Sequence, residues 1–420
     1  MTISEMTNMI GNGMMDKLFL QIYRKNDREK LRQRVRYLSA AENFSKKFPL
    51  NNEINVFSAP AQVEIDENYT EKHYGKVLSA AVTSDLLAIC AINRENIIRL
   101  YFEENGLTEI DLSDITAGTG TFSALAGGII SEFEKKQHKI CGFDAYITSD
   151  IPNRYGFSIL TSFEVLLAKI ISHYNQVDLD IFEIAKICQC AEKKYYSKNY
   201  GLINQLTCLT GGITAFNLKE TENPLIEKIN IDFSDCGYSL CFINAGSNSE
   251  NYSDEHEKSA GDIKSVSDAL GVEYLSEADD EYFYSNIAEI RRKCGDSAVL
   301  STMCFLEGNH RIEEEKICLE SGCFNEFLKL VNESGDSSAM RISSINSEKF
   351  PEVYPAMVAL AVCKRFLRGG GAVRIHSCGK ILAIVPDYMV NGFTDILEGV
   401  FGEGSTHIMS IRNSGAKLLY

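Results

Sequence analysis

Proline is scarce in this chain, with 7 in 420 residues, and no low-complexity tract interrupts it. Long disordered linkers are therefore not expected. No apolar run reaches the length of a membrane span; the best, Val77 to Asn93, is broken by Asp85. The N-terminus has no basic stretch followed by an apolar core, so a secretory leader is not expected. Basic residues are outnumbered and the net charge is −16. That balance argues against nucleic acid and anionic membranes as partners, and an anionic ligand would need a local basic or N–H-rich site. The 13 cysteines include no Cys-x-x-Cys spacing; Cys188 and Cys190 are the only close pair. They read as reduced core thiols of a cytoplasmic protein. The 45% hydrophobic content and the length suffice for two ordinary domains.

Periodicity divides the chain further. Residues 16–48 interleave charges with Leu18, Ile22, Tyr23, Leu31, Val35, Tyr37, Leu38 and Phe44. This predicts one or two amphipathic helices ahead of the main fold, as a packing extension. Strands are predicted at 54–58, 61–66, 85–93, 97–103, 141–149 and 238–243. Helices are predicted at 119–137, at about 158–173, at 180–198 and through most of 279–333. A hairpin is predicted from 371–376 and 381–386, with a further strand at 407–412. The mixture is α+β rather than strict βαβ alternation.

Three stretches carry the chemistry. The first, residues 58–78, reads SAPAQVEIDENYTEKHYGKVL. The second, 149–165, reads SDIPNRYGFSILTSFEV, a loop leading into a helix. The third, 191–218, opens AEKKYYSKNYGLINQ.

These stretches resemble the three signature regions of the galactokinase family in the GHMP kinase superfamily. Ala59, Pro60, Val63, Thr70 and Gly75 keep the frame of the first, and the likeness runs from about residue 50 onward. The resemblance implies an α+β, GHMP-kinase-like two-domain fold with its site in the inter-domain cleft. The expected division is a helical extension at 1–49, an N-terminal domain at 50–220 and a C-terminal domain at 221–420. It also implies transfer of a phosphoryl group from Mg-ATP to the C1 hydroxyl of galactose.

The reacting positions depart from the family pattern. Gln62 stands where relatives have a catalytic Arg, and Asn204 stands where they have a catalytic Asp. An amide accepts a hydrogen bond but takes up no proton at neutral pH. In the sugar segment, Asn68 and Tyr69 replace Glu and His, and Glu71 replaces a sugar-binding Asp. His256 lies near the place of a sugar-contacting Tyr. In the nucleotide loop Gly156 and Ser158 persist, as does the helix residue Glu164, whose counterpart lies near the metal. Arg154 and Tyr155 now occupy the turn, and Ile159 and Leu160 replace two serines. Either the bulky residues fill the vacated space, or Arg154 holds a different anion there. A further family motif, a glycine-rich loop between two strands, is shortened to little more than Ser377, Cys378, Gly379 and Lys380. The expectation is a catalytically dead or severely impaired relative with a sugar-like ligand and doubtful Mg-ATP binding. The alternative is a working sugar kinase with a relocated base drawn from Glu67, Glu71 or His73.

Overall fold

This computed structural model describes the backbone of all residues except 25, 52, 68–72, 104, 116–118, 153–158, 197–200, 221–223, 247–249, 344–352 and 377–379. Side chains are described for the same residues apart from 250–258, 341–343 and 353. Three helices come first: α1 (Ile3–Gly11), α2 (Asp16–Ile22) and α3 (Asp27–Lys47). Thr2 and Asn26 cap α1 and α3 by accepting N–H bonds from Glu5 and Glu29. Of the apolar positions expected over 16–48, Ile22, Tyr23, Tyr37 and Phe44 are buried with Phe19 in a cluster against Leu87, Ile89 and Tyr146 of the sheet, whereas Leu31 and Val35 are exposed on the outer side of α3.

A large sheet follows. It is built from β1 (Asn55–Asp66), β2 (Lys76–Ile92), β3 (Ile97–Phe102), β4 (Gly106–Asp111), β5 (Phe143–Ser149), β6 (Ile213–Asn217) and β7 (Leu225–Ile229). Helix α4 (Phe122–Lys135) precedes β5; α5 (Ile159–Tyr174), α6 (Ile181–Ala191) and α7 (Ile203–Thr210) separate β5 from β6. The order is β12-β1-β2-β5-β3-β4, where β12 (Lys417–Leu418) returns from the far end of the sequence. β6 pairs with both β2 and β7, so the sheet continues past residue 220. Helices α4 to α7 cover the face opposite the N-terminal helices and complete the main core.

The second layer set holds a four-stranded antiparallel sheet in the order β11-β8-β10-β9. Its strands are β8 (Tyr238–Ile243), β9 (Ala372–Ile375), β10 (Ile381–Pro386) and β11 (Thr406–Met409). Between β8 and β9 run α8 (Glu250–Leu270), α9 (Asp280–Ser285), α10 (Ile287–Cys294), α11 (Asp296–Glu320), α12 (Phe324–Ser343) and α13 (Val353–Leu367). Helix α14 (Val390–Phe401) packs with α13 on Val373, Ile375, Ile381 and Val385. Among the described residues, no helix is long and apolar enough to cross a membrane.

The expected strands at 54–58 and 61–66 are one continuous strand, because the irregularity at Pro60/Ala61 is a register shift with β2 rather than a break. The strand expected at 85–93 begins nine residues earlier, at Lys76. Both faces of β2 are covered, so its sequence shows no in–out alternation to mark where it starts.

Asp85, which breaks the apolar run, lies midway along β2 and is fully buried. Its carboxylate meets Arg36 of α3 at 2.6 Å and Arg412 at 3.0 Å. Tyr23 donates to it at 2.8 Å, and Ser58 also donates to it. Burial pushes this carboxyl up, but the two guanidinium charges and the Ser58 bond outweigh burial and hold it below the ordinary range. Its contribution is therefore present above the unfolded value and lost as pH falls through the lowered one. Asp85→Ala would strand Arg412, itself fully buried, and is expected to cost about 3–5 kcal/mol in urea unfolding at neutral pH.

Candidate functional site

Successive residues of a strand point to opposite faces. On β1 this sends Ala61, Val63 and Ile65 into the main core and leaves Gln62, Glu64 and Asp66 together on the other face. All three polar residues are buried, so each must find partners.

Gln62 Nε2 donates to Asn204 Oδ1 at 2.8 Å and to Glu64 Oε1 at 3.2 Å. Asn204 lies in the first turn of α7. That helix ends at Gly211, which has a φ of +70° and where a Cβ would lie 2.2 Å from the Gly415 nitrogen. A side chain there would push α7 off the segment that carries Arg412. Gln62 Oε1 is buried with no hydrogen-bond partner among the described residues.

Glu64 is met from the other sheet. His376, which follows β9, places Nε2 against Glu64 Oε2, and its ring stands edge-on to Phe242 at 5.2 Å. Burial pushes the Glu64 carboxyl up; the charge of His376 and its hydrogen bond reverse this and hold it below the usual range. His376 N–H also donates to Lys380 O at 2.7 Å, closing the short β9–β10 connection. Lys380 Nζ donates to Asn244 Oδ1 at 2.8 Å, just past β8. At the rim of the small sheet, His376 thus meets β1, and Lys380 and Asn244 bond to each other beside it.

Asp66 is anchored by Arg311 of α11 at 2.7 Å and by the Ser334 hydroxyl of α12 at 2.6 Å. Arg374 of β9 donates to Ile65 O at 3.2 Å and Glu67 O at 3.0 Å. Glu315 is also fully buried there; burial first, and then the Asp66 charge, push its carboxyl well up.

Behind α7 lies a second buried group. Gln205 Nε2 donates to Glu164 Oε2 at 3.0 Å and to Glu192 Oε2 at 3.3 Å. Burial, and then the neighbouring Glu192 charge, push the Glu164 carboxyl well above its ordinary range. Both carboxyls sit inside the wall behind Asn204, with Glu164 0% and Glu192 1% exposed. Among the described residues, no group of three side chains is placed to hold a metal ion. Glu164, the metal-side candidate, is enclosed and bonded to Gln205, a placement that does not suit a Mg²⁺ ligand.

Of the residues singled out from the sequence, Gln62 and Asn204 are in direct contact. Asn68, Tyr69, Glu71, Gly156 and Ser158, with Arg154 and Tyr155, lie outside the described residues, as does the side chain of His256. Ile159 and Leu160 open α5 half-buried against the main core. His73, one candidate for a relocated base, is buried with its ring 6.2 Å from that of Phe305. Glu64 and His376 were not singled out. Glu64 is two positions from Gln62 on the same strand face, and that spacing is the one sequence signal that could have found it, without revealing its partner.

Residues 124–212 match the family described as GHMP kinases N terminal domain. The galactokinase of Clostridium acetobutylicum is 24% identical over 399 residues, covering 90% of this chain and 98% of that protein. The galactokinase of Fusobacterium nucleatum is 29% identical over 169 residues, 39% of this chain and 43% of that protein. Among solved structures, Lactococcus lactis galactokinase complexed with galactose superposes with a TM-score of 0.75 at 19% identity, covering 91% of this chain and 100% of that one. A mevalonate kinase superposes at 0.59 with 14% identity, covering 86% of this chain and 98% of that one. In its α+β two-domain fold and over most of its length, the chain is similar to galactokinases, and residues 124–212 carry the GHMP kinase N-terminal domain.

Proposed function

We propose that this protein is a carbohydrate-binding galactokinase relative that does not transfer phosphoryl groups at kinase rates. One observation carries the reading: the Gln62–Asn204 hydrogen bond joins two amides where the family places a positive and a negative side chain. An amide in place of the base removes the proton acceptor, typically worth about 10²–10⁴ in rate. Loss of an arginine that neutralises a transferring phosphoryl group costs about 10³–10⁵. The two losses need not multiply, because residues acting as a unit are not additive.

Three further features support it. Gln62 Oε1 and the Glu64 carboxylate offer acceptors, which repel phosphate oxygens and suit hydroxyl groups. The β9–β10 connection, in a position where relatives close a glycine-rich loop over phosphates, is tied to β1 through His376. Glu164 is enclosed and does not fit the metal. The domain division near residue 220, a cytoplasmic setting and a sensing or regulatory use belong to the same proposal. A second reading, a working sugar kinase with a relocated base, is favoured by one observation: Glu64 is an ionised carboxylate in contact with Gln62.

With galactose and Mg-ATP, product formation is expected to fall far below the ordinary range of about 1–100 s⁻¹ for kinases. A coupled assay reaching that range would refute the proposal. In thermal melts, galactose at 100 times its Kd should add about 2.7 kcal/mol of stability, and Mg-ATP should add almost none. The reverse order would favour the kinase reading.

Glu164 supplies a pH test. Burial and the Glu192 charge raise its folded carboxyl above the unfolded value, so stability falls as pH rises above the unfolded value. Glu164→Gln is expected to flatten that fall above the ordinary carboxyl value of 4.5 and to leave the protein no less stable at neutral pH. Urea unfolding midpoints measured across this range check both.

A further inference from the structure

Glutamine and asparagine side chains each carry one acceptor and one doubly donating group, so their bonding can be counted. Both donor hydrogens of Gln62 are directed at acceptors, Asn204 Oδ1 and Glu64 Oε1. Turning the amide over would face its oxygen toward those two acceptors, so its orientation is set. Its Oε1 is then left buried and unpartnered, in a residue 9% exposed. A buried acceptor without a donor costs about 1–3 kcal/mol, and a ligand that brings a donor recovers that cost.

Glu64 adds a second acceptor on the same face. Its carboxylate has roughly four lone-pair directions. Gln62 and His376 account for two contacts, one on each oxygen. His376 offsets the Glu64 charge, and Lys380 lies on the same short connection, so a cationic ligand gains little here. Phosphate oxygens, which only accept, would meet acceptors. A neutral group with O–H donors fits both constraints.

We propose that Gln62 and Glu64 form a hydroxyl-reading pair in the cleft, accepting hydrogen bonds from a neutral polyol while Asn204 and His376 hold them in position. The pair rests on the carbohydrate-binding reading above and names the groups that read the sugar. Glu64 would be a contact residue in its own right, and Asn204 and His376 positioning residues.

Equilibrium dialysis tests it with radiolabelled D-galactose and the monodeoxygalactoses as probes. The variants are Gln62→Met, Glu64→Ala and the milder Glu64→Gln, each checked for folding by circular dichroism. Gln62→Met should weaken galactose about 2–10-fold, and Glu64→Ala about 10–100-fold, as for loss of a neutral and of a charge-assisted hydrogen bond. One monodeoxy sugar should bind the wild type more weakly by a matching factor and lose nothing further in the variant that removed its acceptor. That coupling separates a direct contact from a general loosening of the cleft. If Glu64→Ala does not fold, Gln62→Met and Glu64→Gln carry the test. Galactose binding that is unchanged in the variants, or reduced equally for every deoxy sugar, overturns the pair and leaves the carbohydrate reading standing. Wild-type protein that binds no galactose at millimolar concentration overturns both.

Discussion

Carboxylates on one strand, each met by a basic side chain from another part of the chain, hold this molecule together at the place where it matters. β1 carries Glu64 and Asp66 into a buried seam, where an unpaired charge would cost several kcal/mol. The small sheet answers with His376, Arg374 lies 3.9 Å from Asp66, and α11 answers with Arg311. Apolar contact alone would let the two sheets slide; matched donors and acceptors fix their relative position. The cleft is consequently shaped by the same bonds that join its walls. Changing a group at the site also changes how the halves meet.

The replacement of an ion pair by two amides fits that constraint. A lone arginine or aspartate left at Gln62 or Asn204 would be a buried charge without its counter-charge. Two amides keep a 2.8 Å hydrogen bond and remove both charges together. Under the proposed reading, this exchange keeps the architecture and withdraws proton transfer. The neighbouring charged pair, Glu64 with His376, keeps the seam polar and gives it a different set of acceptors.

Much of the fold was legible because local pattern and environment agreed. β8 and the β9–β10 hairpin lie where short, dense apolar runs placed them, and α5 starts within a residue of its expected position. The helix expected at 180–198 is legible only in part: α6 ends at Ala191 and a π-turn covers Glu192–Tyr196, which directs Glu192 toward Gln205. β4, β6 and β7 were not anticipated; they are short strands, and β4 and β7 are edges with several exposed positions, which weakens their apolar signal. At the site, Gln62 and Asn204 were readable because family spacing marks them. Glu64 was not, because its meaning depends on His376, 312 positions later. Spacing along one element is visible in a sequence, but a partner on a distant strand is not.

The Asp85 cluster has a consequence for how the chain is made. Its carboxylate is synthesised early, yet Arg412 emerges 327 residues later, and β12 adds to β1 later still. During translation the large sheet therefore presents a vacant edge on β1 and a buried acid that has Tyr23, Ser58 and Arg36 but lacks its second guanidinium. The N-terminal half cannot reach its final form while the chain is still growing. Its sheet closes from the outside, after the small sheet has been synthesised, so the nascent chain depends on protection from aggregation for most of its synthesis.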